Sequence, residues 1–219
     1  MTRVVLVAGT HAWRPDKPDW FMAGQPFYSF LQANGVQPVD ADNRPFCWCT
    51  DLGGVGFGDD DLAVWLAGGQ NLFAYIVPPL CPDKRIPPRE TNLIAHSHGM
   101  QIALVACAAG LKVNTLITVG GPVRDDMKAV AAAARPNIAR WLHLYSDAHD
   151  YMQLLGELFD GGWKRWLKFD RFQRQHPLAD RNEFMPEGHS AVLEDPGLFQ
   201  LWQTQHWLAE LTTTWPAKS

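Results

Sequence analysis

The residues best suited to chemistry lie in one run, Asn92-Leu93-Ile94-Ala95-His96-Ser97-His98-Gly99, where a serine stands between two histidines. Leu93 and Ile94 suit the end of a buried strand, and Met100 to Ala109 suit a packed helix closed by Gly110. A serine at such a junction is held on a strained backbone, with its hydroxyl above the strand ends and its flanking amides aimed at the helix N-terminus. That placement suits a nucleophile. A serine hydroxyl is a poor one near neutral pH, so it needs an imidazole to take its proton and a carboxylate to hold that imidazole in the right tautomer. Eight histidines and 23 acidic residues are present to supply them.

The run resembles the nucleophile elbow of the α/β-hydrolase superfamily, in particular its lipase- and esterase-like serine hydrolases. The usual pattern there is Gly-x-Ser-x-Gly, and here it is Ala95-x-Ser97-x-Gly99. The flanking positions must be small because the turn brings their backbones against the neighbouring strand and helix, so Ala95 is a mild departure. The resemblance implies a mostly parallel sheet with helices on both faces, and partners in the order serine, acid, histidine. Asp150, in Ser146-Asp147-Ala148-His149-Asp150-Tyr151-Met152 after a strand, matches the family acid, with Asp147 in reserve. His189, in Glu187-Gly188-His189-Ser190 before a final helix, matches the base. The backbone N–H groups of His98 and Thr10 correspond to the oxyanion donors, although Ala8 stands where many members carry His. Side chains of His96 and His98 then serve as orienting or wall elements. Thr118-Val119-Gly120-Gly121-Pro122-Val123-Arg124 is similar to the Gly-x-Pro-x-Arg turn of many lipase-like members, and reads equally as an ordinary strand-ending turn. The likeness runs from about Val4 to Val192.

The elements that would position these groups can be read from composition and pattern. The 219 residues, 47% hydrophobic, allow one sizeable core, so residues 1–219 are expected to form a single domain. Arg3 to Ala8, Phe46 to Thr50, Asn114 to Val119 and Trp141 to Tyr145 read as strands, with a short extended piece from Val36 to Asp42. Gln25 to Ala33, Asp60 to Gly68 and Asp125 to Ala134 read as helices, and Leu72 to Val77 as a separate apolar run. Alternation of this kind predicts helices on both faces of the sheet, with ligands gathering beyond the carboxyl ends of its strands.

Several features limit the function. A net charge of -4 supplies no basic field, so nucleic acid is not an expected partner. The stretch Asp51 to Gly58 is glycine-rich but is followed by Asp59-Asp60-Asp61, which would repel phosphate, so it reads as a plain loop. Cys47, Cys49, Cys81 and Cys107 lack zinc spacing and read as reduced thiols. Val4 to Val7 is too short for a secretory core and no run is long enough to span a bilayer, which points to a cytoplasmic protein. His176, beside Pro177, reads as exposed, and His206 as a structural residue inside the terminal helix.

Ten Trp and eleven Phe could fill a core, and so many large aromatics in a small chain also allow for an apolar substrate cleft. His11 and Trp13, in the Pro- and Gly-broken loop after the first strand, are candidate substrate contacts. So are Trp163 and Trp166, in an aromatic-rich insert over 154–186 that precedes His189. Its stripe Trp163, Trp166, Phe169, Phe172 with interleaved Lys and Arg reads as core packing, as a lid over an apolar acyl site, or as a surface resting on an anionic membrane. The reaction expected is cleavage of a carboxylic ester or lipid through an acyl-enzyme on Ser97, without cofactor or metal. Two alternatives stand beside it: a metal-dependent hydrolase using His96, His98 and His149 with Asp147 and Asp150, and a non-catalytic binding module on the same fold.

Overall fold

Runs of Val, Leu, Ile and Thr build a sheet in which every neighbouring pair of strands is parallel. The computed structural model describes residues 2–9, 19–40, 46, 48, 61–77, 91–146 and 174–216. The strands are β1 (Thr2–Val7), β2 (Val36–Pro38), β3 (Asn92–His96), β4 (Val113–Val119), β5 (Ile138–Tyr145) and β6 (Arg181–Phe184), in the spatial order β2-β1-β3-β4-β5-β6. The central strands are continuous apolar runs because both faces are covered. Val5, Val7, Leu93, Ala95, Leu116 and Trp141 enter one core, whereas Val4, Leu6, Ile94, Ile117, Val119, Leu142 and Leu144 enter the other.

Helices α1 (Pro26–Ala33), α5 (Ala191–Glu194), α6 (Gln200–Thr204) and α7 (Trp207–Thr212) cover the second face. Helices α2 (Asp61–Ile76), α3 (Gly99–Ala108) and α4 (Lys128–Ala134) cover the first. Every residue of α3 from Gly99 to Cys107 is buried, so the helix that follows Ser97 is gripped on all sides. Burial raises the Cys107 thiol well above its ordinary pKa, and the residue is a free thiol. Cys47, Cys49 and Cys81 lie outside the described residues.

The structure departs from the sequence reading in four places. Asp60–Gly68 and the apolar run Leu72–Val77 are one helix, α2, which passes through Gly68 and Gly69. A Cβ on Gly68 would lie 2.7 Å from Ile102 Cδ1, and one on Gly69 would overlap Val105. Close approach of α2 to α3 requires the glycines, and offsets their cost of about 1 kcal/mol each in a helix interior. Strand β6 lies at the end of the stretch read as an insert, so residues 181–184 belong to the sheet edge. His176 is buried, not exposed: its ring lies tilted against that of Trp141 with centroids 4.2 Å apart, and its Nδ1 accepts the Leu178 N–H. His206 lies between α6 and α7 in the left-handed region, φ 61°, and is exposed.

Of the predicted strand Phe46–Thr50, only Phe46 and Trp48 are described. Both are buried outside the sheet's strands, and Trp48 Nε1 donates to the Ala8 carbonyl at 2.7 Å. The glycine-rich loop at 51–58 and the aromatic stripe at 163–172 lie outside the described residues. Among the described residues, no helix is long and apolar enough to cross a membrane.

Candidate active site

Strand β3 ends at His96, and the next residue, Ser97, has φ 52°, one of two positive-φ non-glycine residues described. Left-handed backbone at a non-glycine residue costs about 1–2 kcal/mol and persists only where its surroundings hold it. Here they do. The Ser97 N–H donates to the Val119 carbonyl at the end of β4 (2.9 Å), and its carbonyl accepts from Met100 N–H (3.0 Å), which opens α3. A Cβ on Gly99 would sit 2.6 Å from both the Val7 and Ala8 carbonyl oxygens, so only glycine lets the turn rest on β1. Ala95 is fully buried, paired with Val7 on one side and Thr118 on the other, and its methyl group fits where the resemblance had Gly.

The ends of β1 and β4 close on the same place. A Cβ on Gly9 would be 2.8 Å from Ser97 Cβ and 3.2 Å from His96 Nδ1. Gly120, φ 58°, follows Val119, and a Cβ there would be 2.8 Å from the His189 carbonyl oxygen and 2.9 Å from His189 Nδ1. His189 occupies the loop between β6 and α5, which the sheet's second face brings back over the strand ends. Ser97 and His189, 92 positions apart in the chain, thus meet at one rim through Val119 and Gly120.

His96 links the two. Its ring lies 4.8 Å from that of His189, centroid to centroid, and 6.0 Å edge-on from Trp20. Burial pushes its pKa well below the ordinary value and the nearby His189 and His98 add to this, while a hydrogen bond to the His189 backbone opposes it in part. The neutral imidazole is the resident form. On the other side, His98 opens α3 and its ring lies 5.5 Å from Trp65, over which Arg124 places its guanidinium at 4.8 Å. Arg124 donates from Nε and Nη2 to the two carboxylate oxygens of Asp126 (3.0 and 2.8 Å), and Gln101 Nε2 donates to the Pro122 carbonyl (2.8 Å). The last of these bonds ties the turn after β4 to the elbow helix.

The predicted site residues therefore divide. Ser97, His98 and His189 come together at the carboxyl ends of the strands. Thr10, Asp147, His149, Asp150, His11, Trp13, Trp163 and Trp166 lie outside the described residues, although β1 and β5 end where the Thr10 and Asp147–Asp150 segments begin. Sequence reasoning missed Trp65, because nothing in α2 marks one aromatic as facing the elbow, and it left the Gly120 segment open between a lipase-like turn and an ordinary strand ending.

No protein-family model matches the chain, and no curated protein does. Two solved structures are similar to it. One is a predicted CIB-like hydrolase from Thermoplasma acidophilum, with a TM-score of 0.51, 12% identity, and coverage of 94% of this chain and 86% of that one. The other is an esterase from Pyrococcus furiosus, with a TM-score of 0.50, 14% identity, and coverage of 96% and 82%. With its described strands in one all-parallel sheet covered by helices, a left-handed serine directly after β3 and these two neighbours, the chain has the α/β-hydrolase fold.

Proposed function

We propose that the chain is a serine hydrolase acting on carboxylic esters, lipid esters included. The observation that carries this reading is the left-handed Ser97 pressed between Gly9 and Val119, with His189 packed against the adjoining Gly120. Ser97 Oγ attacks the ester carbonyl carbon while His189 takes its proton, and the carbonyl electrons move onto oxygen. The oxyanion is held by the backbone N–H of His98 at the start of α3 and by that of Thr10 beyond β1. Collapse expels the alcohol, which carries away the proton from His189. Water then attacks the acyl-enzyme with His189 again as base, releasing the acid and restoring Ser97. Asp150, or Asp147 in its place, steadies the imidazolium. None of these steps draws on a cofactor.

The aromatic content of the segments that follow β1 and precede β6 in the sequence supports an apolar acyl group, with His11, Trp13, Trp163 and Trp166 as its proposed contacts. The chemistry needs a small-molecule partner only. A fluorophosphonate probe tests the mechanism: the parent chain becomes labelled, Ser97→Ala does not, and ester hydrolysis falls by a factor on the order of 10⁴ or more in that variant. Equal labelling of the two proteins would remove Ser97 from the mechanism. A loss of hydrolysis on treatment with chelator, reversed by added zinc or manganese, would favour the metal-dependent alternative. Preference for short acyl chains in an ester series would count against a lipid-accommodating cleft.

A further inference from the structure

We propose that Gln101 is a positioning residue for the turn on which His189 rests, and so sets the spacing between base and nucleophile; this rests on the reading of Ser97 and His189 given above. The turn that follows β4 serves both groups. At its start the Val119 carbonyl accepts the Ser97 N–H (2.9 Å), and one residue on, Gly120 faces the carbonyl oxygen and Nδ1 of His189 with no room for a side chain between them. The Gly120 N–H donates to the Leu144 carbonyl (2.9 Å), which fixes this end of the turn to β5. Gly121 and Pro122 come next. Two glycines in succession leave the backbone wide freedom, and Gly120 already uses it at φ 58°, so the course of the turn has to be set from outside.

Two contacts from α3 do this. Gly121 lies against Met100, where a Cβ would come 2.6 Å from the sulfur and 2.9 Å from Met100 Cβ. Gln101 Nε2 donates to the Pro122 carbonyl at 2.8 Å. Gln101 is fully buried, and the other half of its amide, Oε1, has no partner among the described residues. A carbonyl can only accept, so the amide cannot turn over to relieve that oxygen without losing its bond. A buried oxygen in this state opposes folding, and an unbranched apolar chain such as Met would fill a similar volume without it. The amide is therefore a poor source of cohesion and a good source of register. It stands in the helix that follows Ser97, about one turn past the nucleophile, and holds the turn that seats the base.

Two substitutions in the full chain separate this role from simple packing. Gln101→Met fills the volume and has no donor. It is expected to lower kcat by roughly tenfold to a hundredfold, as for a base displaced by a fraction of an ångström to one ångström, with KM and the melting temperature close to the parental values. Gln101→Glu keeps the shape and makes the donor depend on pH. The neutral carboxyl can donate its O–H to the Pro122 carbonyl, whereas the carboxylate only accepts and faces another acceptor. Dividing the kcat of this variant by the parental kcat at each pH removes the titration of His189, and the ratio is expected to rise toward one as pH falls. Parental kcat in Gln101→Met, or a Gln101→Glu ratio in acid no higher than that of Gln101→Met, would overturn the inference. Should Gln101→Met fail to fold, Gln101→Ala, which suits the helix and also lacks the donor, takes its place. His189→Ala in the same assay keeps the two readings apart. Activity retained there ends the role of His189 as base, whereas its loss beside parental kcat in Gln101→Met ends only the role of Gln101.

Discussion

The two ends of the sheet are built on opposite terms. At the carboxyl ends, Ser97 carries left-handed backbone, glycines at 9, 99 and 120 make room where no side chain fits, and the buried His96 Nε2 and Ser146 Oγ have no partner among the described residues. At the amino ends, the polar groups are paired several times over. Asn92 Nδ2 donates to the Arg3 carbonyl, and Asn114 Nδ2 donates to Asn92 Oδ1 and the Thr213 carbonyl. Thr115 Oγ1 donates to the Glu210 carbonyl, and Trp215 N–H donates to Asn114 Oδ1. Glu210 on α7 takes both Nε and Nη2 of Arg140 (2.8 and 2.9 Å), with Arg181 at 3.4 Å and the Arg140 guanidinium lying over Trp215. One end of the sheet stores strain and unsatisfied polarity. The other supplies the cohesion that keeps that strain in place.

The sharpest way to break this division is to strike the amino end and watch the carboxyl end. The Glu210 side chain is 6% exposed, and its loss would leave Arg140 without its bidentate carboxylate partner, while Arg181 keeps only Glu183 at 2.6 Å. Glu210→Ala should destabilise the chain by about 3 kcal/mol, the low end for a broken buried pair because both arginines keep some exposure to water. That corresponds to a melting temperature lower by roughly 10 °C. Ester hydrolysis per folded molecule should stay at the parental level below the transition. A matching fall in activity at a temperature where circular dichroism shows the protein folded would mean that the two ends are not independent.

A second, smaller effect lies on the sheet's first face, under β5 and β6. His143 Nε2 donates to the Arg174 carbonyl (2.9 Å), so its Nδ1 is the acceptor for the Thr118 hydroxyl (2.7 Å), which in turn accepts from Trp141 Nε1 (3.0 Å). Burial lowers His143 to about 4, and burial followed by the charge of His143 lowers His176 to about 3. An unfolded histidine takes up a proton near 6.5, so the unfolded state binds more protons than the native state below that pH. The stability these rings support is complete above pH 6.5 and drains as pH falls toward 4 and then 3. Denaturant midpoints should drop between pH 7 and pH 5 by the equivalent of about 1–2 kcal/mol per ring. His96 acts in the same direction from the other face. His143→Gln isolates the share of one ring by flattening the curve, and a curve as steep as the parental one in that variant would contradict the assignment.

The same contrast explains what could be read in the sequence. The central strands and the elbow were legible because β-branched and apolar runs followed by Gly or Ser leave few alternatives once both faces are buried. Strand β6, Arg181-Asn182-Glu183-Phe184, was not: an edge strand need bury little, and these four residues are half-buried or exposed. Gly68 and Gly69 read as a stop because local propensity says so, and only the helix they touch shows otherwise. Pro177 made His176 look like a surface turn, while the aromatic that receives it, Trp141, is 35 positions earlier. At the candidate site, the turn at Ser97 was legible from local spacing, and the return of His189 to the same rim from its place in the chain order. The positioning contacts of Trp20, Trp65 and Gly120 are all long-range, and no spacing encodes them.

The smallest expected effect is the most direct measure of the difference between the ends. Ser146, first residue past β5, is 2% exposed, and its hydroxyl has no partner among the described residues. A buried hydroxyl without a partner opposes folding, so its removal should help where removal of a paired group harms. Ser146→Ala is expected to raise stability by roughly 0.5–1 kcal/mol, read as a higher denaturant midpoint at constant slope. Activity then carries the finer information. If kcat is unchanged, the orphan hydroxyl is a residue of the tight strand ending and nothing more. If stability rises while kcat falls, the hydroxyl serves the segment that begins at Asp147, and the unsatisfied group belongs to the machinery of the rim. A loss of stability would show that Ser146 is bonded as fully as the amino-end groups, and the division between the two ends would fail at that point.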